Sequence, residues 1–126
     1  MPIKPASELV AEANAQVRLV SAQDAIDLHA SGAVQIVDVR EPAEWDKGHV
    51  PGAVHVPRGL LEWAADPSNP THKAEFDQGK PLVIHCASGG RSALAARTLK
   101  DMGYKDVANM AGGFAAWREA GGPVEG

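Results

Sequence analysis

The chain has 126 residues, 44% of them hydrophobic, enough for one compact core and too few for two ordinary domains. Sixteen acidic residues against 12 basic ones give a formal net charge of -4, and no block of lysines and arginines stands out, which argues against a nucleic-acid partner. No run of about 18 apolar residues occurs, so no membrane span is expected.

Ser7 to Val17 reads as a short amphipathic helix, with Leu9, Val10, Ala13 and Val17 as its apolar positions and Ser7 as its cap. Residues 1–17 are therefore read as a helical extension. Glu8 and Glu12 stand where a signal peptide needs an uninterrupted apolar core, and a single cysteine excludes an intramolecular disulfide. Both point to a cytoplasmic protein. Arg18-Leu19-Val20 is a short strand, and Ser21 caps a helix that runs to about Ala30 and stops at Gly32.

Val34 to Val39 is the next strand, with Asp38 and Arg40 at its carboxyl end. Glu41 to Trp45 suits a short helix with Pro42 in its first turn, Gly48 to Ala53 a turn, and Val54-His55-Val56 a strand. From Pro57 to Gln78 the chain is irregular, with helical turns around Leu60 to Ala65 and near Phe76; this is the expected rim of a substrate site. Arg58 in this segment is a candidate to reach over the pocket, with a solvated loop arginine as the alternative. Trp63 is the aromatic best placed to line it.

Pro81 to His85 reads as a buried parallel strand, Ser92 to Met102 as a helix stopped by Gly103, Val107 to Met110 as the last strand, and Phe114 to Ala120 as a helix. Residues 122–126 are expected to fray. Five strands alternating with helices imply an α/β, doubly wound domain over residues 18–121, its sheet mostly parallel and covered on both faces. Ligands of such sheets gather beyond the carboxyl ends of the strands, where Asp38 and the segment after His85 both lie.

That segment is His85-Cys86-Ala87-Ser88-Gly89-Gly90-Arg91-Ser92, and it carries the only cysteine. A loop from a strand end to a helix N-terminus presents backbone N–H groups and the positive end of the helix dipole, so its ligand should be anionic. The same features, with Arg91 as a nearby cation, lower a cysteine pKa from about 8.5. Ala87, Ser88, Gly89 and Gly90 have no bulky side chain, which lets the backbone curl around the sulfur or a group attached to it. Cys86 is thus a nucleophile candidate, against the blander reading of a buried structural thiol.

Taken in order, Val37-Asp38-Val39-Arg40-Glu41, Glu44-Trp45, Gly48-His49-Val50-Pro51-Gly52-Ala53, His85-Cys86 leading to Arg91-Ser92, and Gly112-Gly113 with Trp117 resemble a single-domain rhodanese, from about Leu19 to Gly121. The resemblance implies a thiosulfate sulfurtransferase that carries sulfur as a persulfide on Cys86 and passes it to cyanide or a thiol, a protein thiol such as thioredoxin included. It implies that Ala87, Ser88, Gly89, Gly90, Arg91 and Ser92 bind the donor and that Asp38 and Arg40 brace the loop; Arg58, reaching over the pocket, would attract the same donor, and the alternative for Arg91 is a bond to the loop carbonyls or to an acidic neighbour. Four residues separate Cys86 from Arg91, one fewer than in related phosphatases, which favours sulfur over phosphate.

Mercaptopyruvate sulfurtransferases, which share the fold, carry Cys-Gly-Ser-Gly-Val-Thr; Ser88-Gly89 fits that pattern while Ala87, Gly90 and Arg91 depart from it. A persulfide carrier or redox-sensing module is a further alternative. An Arg40–Glu44 pair at i,i+4 spacing is an alternative use of Arg40. The five histidines lack metal-ligand spacing and no nucleotide-binding glycine pattern appears, so neither metal nor cofactor is expected. His85 should point away from Cys86 by strand alternation and serve packing or backbone bonding, and His49 should stabilise its turn. Trp45, Phe114 and Trp117 are expected in the core.

Overall fold

The computed structural model describes residues 2–126. Helix α1 (Ala6–Asn14) is followed by β1 (Arg18–Val20), α2 (Ala22–Ser31), β2 (Gln35–Asp38), α3 (Pro42–Asp46) and β3 (Val54–His55). After a 3-10 turn over Arg58–Leu60 come α4 (Leu61–Ala64), β4 (Leu82–His85), α5 (Gly90–Met102), β5 (Val107–Met110) and α6 (Gly113–Glu119). The five strands form one sheet in the order β1-β5-β4-β2-β3, and all four pairings are parallel. The expectation of a mostly parallel sheet with covered faces is met.

Strand alternation sorts the core into two clusters. Val37, Val39, Leu82, Ile84 and Cys86 pack with Leu61 of α4 and with Ala95, Ala96 and Leu99 of α5. Ile36, Val83, Ala108 and Met110 pack on the other face with Ala22 and Ala25 of α2 and with Phe114 and Trp117 of α6. Every residue of β4 and β5 is buried, as strands covered on both sides require, and the edge strands β1 and β3 are held to three and two residues.

Local signals behave as their chemistry predicts at both ends of α2 and at the end of α5. Ser21 Oγ accepts from Asp24 N at 3.0 Å to cap α2, and Gly32 and Gly103 end their helices in the left-handed region, at φ 74° and 114°. Helix α1 differs from expectation. It starts one residue before Ser7, with Pro5 as its cap position and no side-chain cap bond. The C-terminal tail, expected to fray, is tied down: Trp117 Nε1 donates to Pro123 O at 2.8 Å, and His49 and Glu125 exchange two backbone hydrogen bonds at 2.9 Å. A buried indole N–H needs an acceptor, and the tail carbonyl supplies it.

Candidate active site

Cys86 leaves the carboxyl end of β4 and its loop turns directly into α5. Sγ accepts from Gly89 N at 3.1 Å and lies 3.4 Å from Ser92 Oγ. Cys86 is 1% exposed. Burial pushes the thiol up, but the Ser92 hydroxyl and the backbone N–H groups of Ser92, Gly89 and Ser88 outweigh it and hold the pKa below the usual thiol value. Of the loop's backbone N–H groups that of Gly89 bonds Sγ directly, and Gly89, at φ 113°, supplies the left-handed turn that closes the loop.

The loop is clamped from beneath by the start of α6. Phe114 N donates to Cys86 O at 2.8 Å, and Ala115 N to Ala87 O at 3.3 Å. A Cβ on Gly113 would lie 2.5 Å from the carbonyl carbon and oxygen of Ala87, so only glycine admits this approach. The Gly112-Gly113 pair reads as a simple turn in the sequence; its close approach to the Cys86 loop has no local sign there beyond two adjacent glycines opening a helix.

On the α6 face lies a buried ionic brace. Asp38 and Arg40 are 0% and 5% exposed; Arg40 Nη2 donates to Asp38 Oδ2 at 2.8 Å and to Gly48 O at 2.8 Å, and Nε donates to Asp38 Oδ1 at 3.0 Å. The guanidinium sits 4.2 Å above the Phe114 ring. The Arg40–Glu44 alternative reduces to a long bond from Nη1 to the Glu44 carbonyl, at 3.4 Å. His85 shares this face, as strand alternation predicts, with Nδ1 donating to Cys86 O at 3.1 Å and its ring stacked on Phe114. Burial holds His85 below the ordinary histidine pKa, against the opposing pull of Asp38.

Arg91 is bound, not free. It forms a two-pronged pair with Glu44 of α3, Nη1 to Oε1 at 2.7 Å and Nη2 to Oε2 at 3.0 Å. The hydrogen bonds from Arg91 lower the Glu44 carboxyl to about 2, and Glu44 in turn raises Arg91, with a smaller attraction from Cys86. Glu44 is held in place by Glu41 N, which donates to Oε1 at 3.0 Å at the start of α3. Glu44 was not singled out as the partner of Arg91, because the two lie 47 residues apart.

Arg58 is not brought to the loop: its guanidinium donates to Glu62 Oε1 and to Thr98 Oγ1, both at 3.1 Å, and Thr98 lies nearly two turns along α5 from Arg91. Trp63, 54% exposed, lines a cavity of about 650 Å³ with His55 and Leu60, but no residue of the Cys86 loop joins it there. Trp45 is half-buried instead of core; it is stacked between His49 and His55, with ring centroids 3.6 Å and 4.7 Å away, and His49 also bonds the Trp45 carbonyl. Among the described residues no cluster of histidine, cysteine and carboxylate side chains has the geometry to hold a metal ion, and no helix is long and apolar enough to cross a membrane.

Residues 21–120 match the family model of the rhodanese-like domain. A Bacillus subtilis protein named for a sulfur-carrier role is 40% identical over 85 residues, 68% of this chain; the chain spans only 42% of that relative's length. Thiosulfate sulfurtransferase 16 of Arabidopsis thaliana chloroplasts is 34% identical over 110 residues, 84% of this chain and 91% of its own length. Among solved structures, a Rhodopseudomonas palustris protein of unknown function, described as a possible tyrosine phosphatase, has a TM-score of 0.92 at 46% identity, over 99% of both chains.

Proposed function

The chain belongs to the rhodanese-like domain family, whose members include sulfurtransferases and sulfur carriers, and from that premise we propose that it is a thiosulfate sulfurtransferase working through a persulfide on Cys86. The Cys86 thiolate attacks the outer sulfur of thiosulfate. The S–S bond of the donor breaks, sulfite leaves with the electron pair, and Sγ carries the transferred sulfur as an anionic persulfide. Cyanide or a thiolate then attacks that outer sulfur, taking it and returning the thiolate. The acceptor meets the outer sulfur, about 2 Å beyond Sγ, because that is the atom transferred.

The observation that carries this reading is the set of donors around Sγ, with Gly89 N and Ser92 Oγ closest. Fixed N–H groups suit an anionic sulfur that changes its bonding without a large change in size. Arg91, held half-exposed by Glu44, stands at the end of the same loop to draw in the doubly charged donor. Asp38 and Arg40 serve as support, and Arg58 takes no part. A one-cysteine cycle that needs a thiolate suits a reducing cytoplasm.

A phosphatase is the second reading, favoured by the description of the Rhodopseudomonas palustris structure. Against it, only four residues separate Cys86 from Arg91, a narrower cradle than the five of related phosphatases, and Asp38 is locked in a buried ion pair with Arg40, so it is no free acid for a leaving group. Initial rates with thiosulfate and cyanide separate the readings: parallel double-reciprocal lines are expected, with no release of phosphate from an aryl phosphate. Phosphate release without thiocyanate formation would sink the proposal. Slow turnover with thiosulfate but rapid loading from another persulfide would mark a carrier.

A further inference from the structure

A line of polar side chains runs from the N-terminal helix to the sulfur. Asn14, the last residue of α1, accepts at Oδ1 from Asn109 Nδ2 at 3.0 Å, and the same Nδ2 donates to Gly89 O at 3.2 Å. The Gly89 carbonyl can only accept, so the Asn109 amide must turn its nitrogen towards the loop and α1, and its oxygen towards Ser92. Asn109 Oδ1 accepts the Ser92 hydroxyl at 2.7 Å, and Ser92 Oγ is 3.4 Å from Cys86 Sγ. Ser92 and Asn109 are 0% and 2% exposed, so water does not stand in for either partner. Asn14 lies outside residues 21–120, the stretch matched by the domain family.

A hydroxyl has one proton, and here two atoms compete for it: the amide oxygen of Asn109 and the sulfur of Cys86. When Sγ is a thiolate, the charge-assisted bond draws the proton to sulfur and leaves Asn109 Oδ1 without a donor in a buried site. When Sγ is a neutral thiol, or is bonded to an outer sulfur that carries the charge, the proton returns to Asn109 and both groups are satisfied.

We propose that Asn14, acting through Asn109, is a positioning residue that sets this competition and so favours the forms of Cys86 in which the inner sulfur is uncharged, the sulfur-loaded form among them. The loaded-form part rests on the sulfurtransferase reading; the competition for the proton does not. The charged groups around the site stay constant in the comparison. Arg91 on α5 is paired with Glu44 of α3, Asp38 with Arg40 at the end of β2, and on α1 Glu12 pairs with Lys4 while Glu8 lies in its first turn. Arg118 of α6 stands over Phe114, and His85 of β4, held below the ordinary histidine pKa by burial, faces Asp38.

The test is the pH profile of Cys86 alkylation by iodoacetamide in the full chain. Asn14→Ala should fold, because alanine is the better helix former at this half-buried position. Loss of the Asn14 acceptor leaves Asn109 Nδ2 held by Gly89 O alone, which loosens the amide and weakens the Ser92–Asn109 bond, and the alkylation midpoint falls by about half a pH unit, roughly a threefold gain in rate below the midpoint. In a Ser92→Ala background the same substitution leaves the midpoint where it is, because no hydroxyl remains to redirect. Asn14→Asp keeps an acceptor for Asn109 Nδ2 and does not show the fall. An upward shift, no shift, or an equal shift in both backgrounds overturns the proposal. In thiosulfate-loaded protein, Asn14→Ala should lose its sulfur to cyanide about threefold faster, the counterpart of the same half unit. If no variant takes up sulfur, the sulfurtransferase reading fails while the alkylation midpoints still decide the role of Asn14.

Discussion

The Asp38–Arg40 pair and the Glu44–Arg91 pair join the same two chemical groups at nearly the same distance, 2.8 Å and 2.7 Å, in opposite surroundings. The first joins residues two apart at the end of β2, with side chains 0% and 6% exposed, and it is wedged among Gly48 O, Phe114 and His85. The second spans 47 residues between α3 and α5, with both side chains at least a third exposed. Burial makes a pair costly to break because the surviving charge has neither water nor partner, whereas an exposed pair gives up little when it opens. One pair is therefore fixed in place, and under the proposed function the other is the one that can open for an incoming anion.

Removing Arg40 tests the brace and should have the larger effect. Arg40→Ala leaves the Asp38 carboxylate buried and unpaired, at a cost of about 3–5 kcal/mol in urea unfolding. Protein that remains folded should still take up sulfur from thiosulfate, since Arg40 touches only the support of the loop. A folded but inert Arg40→Ala protein would erase the distinction between the two pairs.

Glu44→Gln tests the exposed pair and should cost less than about 1 kcal/mol. With its carboxylate gone, Arg91 is free for the donor, and KM for thiosulfate falls while kcat changes little. The stability difference from the parent protein should also depend on pH in one direction. Glu44 is lowered from 4.5 to about 2, so the pair's contribution is complete above 4.5 and fades as the pH falls towards 2. Unfolding midpoints of the two proteins should converge over that window; a constant gap would mean that Glu44 stabilises by something other than its charge.

What the sequence reveals of this site follows from distance along the chain. Cys86, its glycines and the helix behind it form one contiguous stretch, and each strand and helix position carries its own periodicity, so these were readable. Glu44–Arg91 and Asn14–Asn109 join residues 47 and 95 apart, and nothing local announces either. The close approach of Gly113 to the Ala87 carbonyl is equally non-local. Arg58 was misdirected for the opposite reason. One of its two partners, Glu62, lies one helical turn away at the i,i+4 spacing that pairs such side chains, a local signal, while the other, Thr98 of α5, is 40 residues distant and has none. The tail ordered itself because a buried tryptophan needed an acceptor, which becomes evident only once Trp117 is seen to be fully enclosed.

The central claim is that the sulfur donated by thiosulfate rests on Cys86. Intact mass after incubation with thiosulfate, compared between the parent chain and Cys86→Ser, tests it most directly. The account predicts a gain of one sulfur atom in the parent, removed by cyanide, and none in Cys86→Ser. An unchanged parent mass, or an equal gain in both proteins, would contradict it.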